Sequence, residues 1–191
     1  MTEFKEPSAY KAEGYKETYT GIAFVFAAPT VEMVEIEDIA HALSMVCRYT
    51  GHCQRFYSVA EHSAILTRWA RDNIPQTIDK KDLLTVLLHD AAEAYIADVA
   101  RPVKAILSQY RELESRIERV IAEKFGTIYP FPDWIKDIDT RILVDERAQL
   151  MRPTKNTWGI DGIQPLNVTI TGVTPKIAKG EFLALFNSLT K

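Results

Sequence analysis

The sequence predicts an all-α protein, with about six helices in a single domain and a small β element near the N-terminus. From residue 36 onward, apolar residues recur at steps of three and four, the spacing of one helix face. Capping residues, prolines and glycines separate these stretches. The chain has 191 residues, of which 47% are hydrophobic and 26% charged, so one globular domain over residues 1–191 is expected.

The N-terminal region carries the only strand signal before the first helix. Residues 1–18 are polar and rich in Tyr, Lys and Glu, and we expect them to form a loosely ordered lead-in. Residues 21–26 are mostly apolar and partly aromatic, which predicts a short strand that ends before Pro29. A return of the chain through residues 31–34 would complete a hairpin.

The first two helices are predicted from an apolar stripe and from a cap. The stripe begins at Ile36 and predicts a helix that ends near Arg48. Ser58 and Glu61 then have the spacing of a capping box, in which each side chain bonds the other residue's backbone N–H. The second helix is expected from Ser58 to about Asn73, which puts His62 in its first turn.

The third helix is predicted to begin at the N-cap Asp79 and to continue through the apolar residues 83–88 into His89 and Asp90. On one continuous helix, His89 and Glu93 would share a face because they are four residues apart. Such apolar density indicates a buried helix, where a charged side chain is costly unless it is ligated or hydrogen-bonded.

Three further helices complete the expected bundle. Pro102 is expected to open a helix over residues 102–125 that Gly126 ends, and a fifth helix should cover residues 134–151. Residues 154–173 predict an irregular loop with a brief strand at 168–170. Thr174, followed by a proline, is expected to cap a final helix that runs to residue 189.

Charge and cysteine content exclude several classes of protein. The formal net charge of −3 argues against general nucleic-acid binding, which needs clustered Lys and Arg. The longest apolar stretch is far shorter than the roughly 20 residues of a membrane helix. The charged N-terminus does not resemble a signal peptide, and Cys47 and Cys53 are expected as free thiols. We therefore expect a cytoplasmic protein that binds neither a nucleic-acid polymer nor a membrane.

Four side chains are candidate metal ligands: His62, the adjacent pair His89 and Asp90, and Asp139. Two imidazoles and two carboxylates offer the mixed nitrogen and oxygen ligation that a borderline or hard divalent cation accepts. Asp145, in the same predicted helix as Asp139, is the alternative fourth ligand, although residues 145–147 are expected to form a solvated face. The helix motif of zincins and the Gly-rich phosphate loop are absent.

The chain resembles the HD-domain phosphohydrolase superfamily, an all-α helical-bundle family, and within it the compact nucleotidase branch. The resemblance rests on residues 56–63, 88–95, 98–104 and 136–139, which contain the four candidate ligands. The branch includes 5'-nucleotidases of deoxynucleotides and phage-type dATP triphosphohydrolases. This resemblance implies a metal-dependent hydrolase, with dATP as the first substrate to test.

The resemblance also implies roles for the residues around the metal. His62, His89, Asp90 and Asp139 would hold a divalent ion, with zinc, cobalt and manganese as the first candidates and magnesium possible with the substrate phosphates. Glu93 would position or deprotonate the attacking water, and Asp98 would bind the sugar side or share the acid–base work.

The substrate contacts implied by the resemblance are Arg48, Lys104 and Lys136 near the phosphates. Each of the three is otherwise an ordinary surface charge. Tyr49 would pack on the base or the sugar unless it belongs to the core, and His52 would bond a phosphate unless it is merely exposed. A homo-oligomer is expected, since the family often forms dimers or larger assemblies. A 5'-nucleotidase of deoxynucleoside monophosphates and a non-catalytic metal- or nucleotide-binding domain are the alternative functions.

Overall fold

The computed structural model describes residues 14–74 and 78–191, and within them the chain is mostly helical with one two-stranded sheet, which confirms the predicted all-α class. Residues 1–13 of the expected lead-in lie outside the described residues. The elements are β1 (Tyr15–Glu17), β2 (Ala23–Val25), α1 (Ile36–Met45), α2 (Val59–Asn73), α3 (Lys80–Leu87), α4 (Glu93–Ile96), α5 (Arg101–Ile106), α6 (Ser108–Phe125), α7 (Asp133–Leu150) and α8 (Pro175–Thr190).

The β element is a hairpin whose partner strand was predicted wrongly. β1 pairs with β2 in antiparallel register, whereas the expected return strand forms a 3₁₀ turn at Val31–Met33. A tight turn at residues 18–22 closes the hairpin, with Gly21 in the left-handed region at φ 87°. β1 is exposed along its whole length, so its polar sequence carried no strand signal. Phe24 of β2 is buried and stacks on Tyr95, which ties the hairpin to the helices.

The cap of α2 is confirmed, but only half of the expected capping box is present. The Ser58 side chain accepts from the Glu61 backbone N–H, as predicted. The Glu61 carboxylate instead accepts from the Thr171 hydroxyl and from the backbone N–H groups of Gly172 and Val173. This buried carboxylate therefore joins the start of α2 to the segment that precedes α8.

α3 ends earlier than predicted, and this changes the placement of the site residues. The helix stops at Leu87, and residues 88–92 form tight turns. In these turns the backbone N–H of His89 donates to the Val86 carbonyl, and the backbone N–H of Glu93 donates to the Asp90 carbonyl. These bonds span three residues, so the backbone no longer follows an α-helix. His89 and Asp90 accordingly lie in a buried turn and not on one helix face with Glu93, which opens α4.

The predicted fourth helix is two helices, α5 and α6, separated at Leu107, where the backbone adopts φ −111° and ψ 84°. The first part of its apolar stripe does not face the core, since Val103 is 42% and Ile106 80% exposed. Gly126 ends α6 in the left-handed conformation, as predicted.

α8 packs against α1, α2 and α3, and α2 also packs against α7. Two core clusters result, one around Leu43, Leu87 and Phe182 and the other around Leu66 and Ile142. The expected strand at 168–170 is absent, since these residues have no regular secondary structure. No helix in the described part of the chain is both long and apolar enough to cross a membrane.

Replacing Gly172 with alanine is expected to destabilise the fold by about 1–3 kcal/mol. A Cβ there would lie 2.7 Å from the Phe56 carbonyl oxygen, at φ 71°, in the segment that binds Glu61. The midpoint of urea denaturation measures this loss. Gly162→Ala is the control, because it has φ 83° but no atom within 4 Å of the added Cβ. Equal losses in the two variants would contradict the role of the close contact.

Candidate metal centre

The candidate centre is formed where α2, the turn after α3 and α7 meet. His62 comes from the first turn of α2, while His89 and Asp90 come from the turn. Each offers one ligand atom, and these three atoms all lie within 4.8 Å of one another. The Asp90 carboxylate lies 3.6 Å from His62 Nε2 and 3.3 Å from His89 Nε2. These three residues can therefore hold a metal ion.

Asp139 of α7 faces the same two imidazoles. Its Oδ1 lies 3.2 Å from His62 Nε2 and 3.9 Å from His89 Nε2, and its Oδ2 accepts from Arg101 at 2.5 Å. The alternative, Asp145, is directed elsewhere, because its carboxylate accepts from the backbone N–H groups of residues 166 and 168. Of the two candidates, Asp139 is the one that the fold brings to the histidines.

The ring tautomers leave two imidazole lone pairs beside carboxylate oxygens. His62 Nδ1 donates to Glu146 at 2.8 Å, and His89 Nδ1 donates to the Val86 carbonyl oxygen at 2.8 Å, since carboxylates and carbonyls can only accept. Both Nε2 atoms are buried and have no hydrogen-bond partner among the described residues. Hydrogen-bond acceptors that face one another with no N–H or O–H group between them can be satisfied by a cation. The nitrogen and oxygen atoms of this group therefore fit a divalent metal.

Electrostatics at the centre also favour a cation. Burial works against the charged form of His89, yet the charges of Asp90 and Asp139 raise its pKa well above the usual value. Burial likewise opposes ionisation of Asp139, but the neighbouring imidazoles of His62 and His89 hold its pKa well below the usual range. A group of carboxylates that stays ionised although it is buried stabilises positive charge beside it.

Glu146 is a buried neighbour of the candidate centre that the sequence interpretation missed. Residues 145 and 146 were expected on a solvated face, but both are buried, and Glu146 has no exposed surface. Burial works against its charge, whereas Arg48 and His62 lower its pKa to about 2. The position of Glu146 in the sequence could have indicated its role in the site. Glu146 follows Asp139 by seven residues on one helix, so the two carboxylates lie on the same face.

Replacing Glu146 with glutamine is expected to weaken metal binding about 10- to 100-fold, the usual effect of losing an outer carboxylate that orients a ligating histidine. Calorimetric titration with Mn²⁺ or Zn²⁺ measures the affinity. Asp145→Asn is the matched control, since this neighbouring buried carboxylate accepts from the loop backbone at Leu166 and Val168 and should affect stability alone. Unchanged metal affinity in Glu146→Gln would show that Glu146 does not support metal binding.

A cavity of about 660 Å³ opens onto Asp90 and Asp139, which is a size suited to a small organic ligand. Its charged lining consists of four carboxylates and three cations: Asp90, Glu93, Asp98, Asp139, Arg48, Arg101 and Lys104. With all of these groups ionised, a divalent ion would change the formal charge of the lining from −1 to +1. The occupied cavity would therefore attract an anion.

Glu93 has the environment of a proton acceptor. Burial, followed by the charges of Asp90 and Asp98, raises the pKa of Glu93 well above its usual value, although Lys104 and Arg48 oppose this shift. Its Oε1 accepts from Lys104 at 3.2 Å, whereas its buried Oε2 has no partner in the described part of the chain. A carboxylate of raised pKa on a cavity wall is suited to general-base chemistry near neutral pH.

The structure brings most of the predicted substrate contacts to this cavity, but not all of them. Arg48, Tyr49 and Lys104 line it. Lys136 lines a smaller adjoining cavity, is 65% exposed and pairs with Asp133. His52 is exposed and is not among the residues that line the large cavity. The expected phosphate contacts of Lys136 and His52 therefore gain no support from their positions.

The turn that precedes His52 also fixes the position of Tyr49. Tyr49 and Thr50 have φ of 58° and 52°, and Gly51 has φ of 78°, so three consecutive residues are left-handed. Non-glycine residues adopt this conformation at a cost, which the surrounding contacts must offset. The Tyr49 hydroxyl donates a short hydrogen bond to Glu146, and Arg48 donates to the same carboxylate at 3.2 Å. One buried carboxylate thus contacts an arginine, a tyrosine and a candidate ligand histidine.

Comparison with known proteins gives two relatives. The chain is 32% identical over 179 residues to Uncharacterized protein YfdR of Escherichia coli (strain K12), covering 92% of this chain and 95% of the relative. It is 40% identical over 112 residues to an uncharacterized protein of Rhodobacter capsulatus, covering 56% of each chain. No family model matches the chain. Neither relative's name states an activity.

Proposed function

This chain belongs to the family of the Escherichia coli protein YfdR, and we propose that it is a metal-dependent phosphohydrolase of deoxynucleotides. The specific proposal is a triphosphohydrolase that releases the deoxynucleoside from a deoxynucleoside triphosphate, with dATP as the first substrate. The observation that carries the proposal is the pair of Nε2 atoms of His62 and His89, which have no hydrogen-bond partner within residues 14–74 and 78–191 and face Asp90 at the wall of a charged cavity.

The metal would be held by His62, His89, Asp90 and Asp139, and zinc, cobalt and manganese suit this mixed donor set. When bound, such an ion supplies Lewis acidity toward a phosphoryl oxygen and lowers the pKa of water at the site. Glu93 accepts the proton of the attacking water, and its raised pKa makes it a better acceptor than an ordinary exposed glutamate.

The remaining groups of the cavity bind the substrate. Arg48 and Lys104 offset phosphate charge, and both are held by carboxylates that fix their direction before a ligand arrives. Asp98 lies on the same cavity wall and binds the sugar or shares the acid–base work. Preorganised cations of this kind stabilise charge in a phosphoryl-transfer transition state.

A panel of deoxy- and ribonucleotides, from mono- to triphosphates, tests the proposal in the presence of Zn²⁺, Co²⁺, Mn²⁺ or Mg²⁺. Chromatography of the products distinguishes the proposed function from its alternatives. Release of triphosphate supports the proposed activity, and release of phosphate only from monophosphates would favour the 5'-nucleotidase alternative. If the metal-loaded protein hydrolysed no nucleotide in the panel, the non-catalytic alternative would replace both enzyme functions.

A further inference from the structure

Trp158 is an aromatic side chain that the metal chemistry leaves without a role. The sequence contains three tryptophans, and two of them pack against the core: Trp69, whose indole N–H donates to the Leu166 carbonyl, and Trp134. Trp158 belongs to neither core cluster of the described residues and is 37% exposed. It lies in the loop after α7, where residues 157–160 line the large cavity. Core packing therefore does not explain this residue.

Trp158 forms an aromatic pair with a residue that is firmly positioned. Its ring centroid lies 5.4 Å from that of Tyr49, with the ring planes inclined at 44°. Tyr49 is in turn fixed by its bond to Glu146, the carboxylate that also orients His62. The Arg147 guanidinium lies 5.7 Å from the Trp158 ring centroid, which adds a cation–π contact. The indole is thereby held at the cavity that contains Asp90 and Asp139.

The lining of the cavity combines two chemistries. Its carboxylates and cations suit a metal and phosphates, whereas the two aromatic rings offer flat apolar surface. A nucleotide has the same two parts, since its phosphates are anionic and its base has a π face. Aromatic rings bind bases by stacking, which tolerates different bases because every base has such a face.

We propose that Trp158, supported by Tyr49, is the base-binding residue of this cavity and stacks on the nucleobase. This inference rests on the proposed action on deoxynucleotides and names the part of the substrate that the aromatic wall recognises. Because stacking would recognise the base, the two purines should bind with similar affinity to each other. Purines should bind more tightly than pyrimidines because their π faces are larger.

The test compares two probes, each of which represents one part of the nucleotide: deoxyadenosine, which carries the base, and inorganic tripolyphosphate, which does not. Isothermal titration calorimetry measures both affinities in the wild type, Trp158→Ala and Trp158→Phe. Trp158→Ala is expected to weaken deoxyadenosine binding by about 5- to 150-fold and to leave tripolyphosphate binding unchanged. Trp158→Phe should retain most of the affinity, since phenylalanine also stacks.

Two results would overturn the inference: an unchanged affinity of Trp158→Ala for deoxyadenosine, or an equal loss for both probes. Absence of deoxyadenosine binding to the wild type would overturn it as well. The melting temperature should be unaltered, because Trp158 lies outside the core clusters. Neither affinity depends on release of a deoxynucleoside, so failure of the hydrolysis panel and failure of base stacking are separate outcomes.

Discussion

Replacing Asp90 with alanine is expected to abolish metal binding and hydrolysis together. Asp90 is the carboxylate that faces both His62 and His89, and the negative charge that it brings to their Nε2 atoms would be lost. Loss of a direct ligand should exceed the roughly 10- to 100-fold effect of an outer partner, so metal affinity should fall by more than about 100-fold. Metal content after dialysis, measured by mass spectrometry, and nucleotide hydrolysis are the two readouts.

Asp90→Asn keeps the shape of the side chain and removes its charge, which separates lost ligation from an altered fold. Asp137→Ala is the control for removal of an acidic residue near the centre, because Asp137 is 65% exposed and pairs only loosely with Arg141 at 3.9 Å. A fully metallated and active Asp90→Ala protein would disprove the assignment of the centre.

Replacing Glu93 with glutamine is expected to leave the metal bound and to reduce turnover by about 10²- to 10⁴-fold, the usual contribution of a general base. The amide preserves the size of the side chain and its contact with Lys104 Nζ through oxygen, but it cannot accept the proton of water. Hydrolysis rates at saturating substrate, together with metal content, measure the effect.

Glu112→Gln is the control for Glu93→Gln, because Glu112 is an exposed glutamate on α6. It should retain full activity and metal. Undiminished turnover in Glu93→Gln would show that Glu93 takes no part in the reaction. Loss of metal in this variant would show that Glu93 acts as a ligand. The combination of Asp90 and Glu93 variants therefore distinguishes metal ligation from proton transfer.

Local signals were sufficient to predict most of the helices. Ser58 and Thr174 accept from backbone N–H groups at helix starts, as their sequence contexts indicated, and Gly126 ends α6. These features depend on residues within one helical turn of one another, so the information is contained in short segments.

The wrong predictions concern places where the short-range pattern does not reveal the course of the backbone. The break after Leu87 was missed because an apolar run looks the same whether or not the helix continues through it. Likewise, the strand at Tyr15–Glu17 is exposed, so only its pairing with β2 reveals it. Helix propensity and periodicity cannot register bonds between segments that are far apart in sequence.

The amino-acid sequence was sufficient to predict the all-α class and the types of side chain that a metal site requires, at His62, His89 and Asp90. Only the tertiary structure brought these groups within 4.8 Å of one another and buried Glu146 behind His62. It also put Trp158 on the cavity wall and His52 outside it. The physical reason is that helix formation depends on neighbouring residues, whereas ligand geometry and burial depend on how α2, α7 and the turn between α3 and α4 pack.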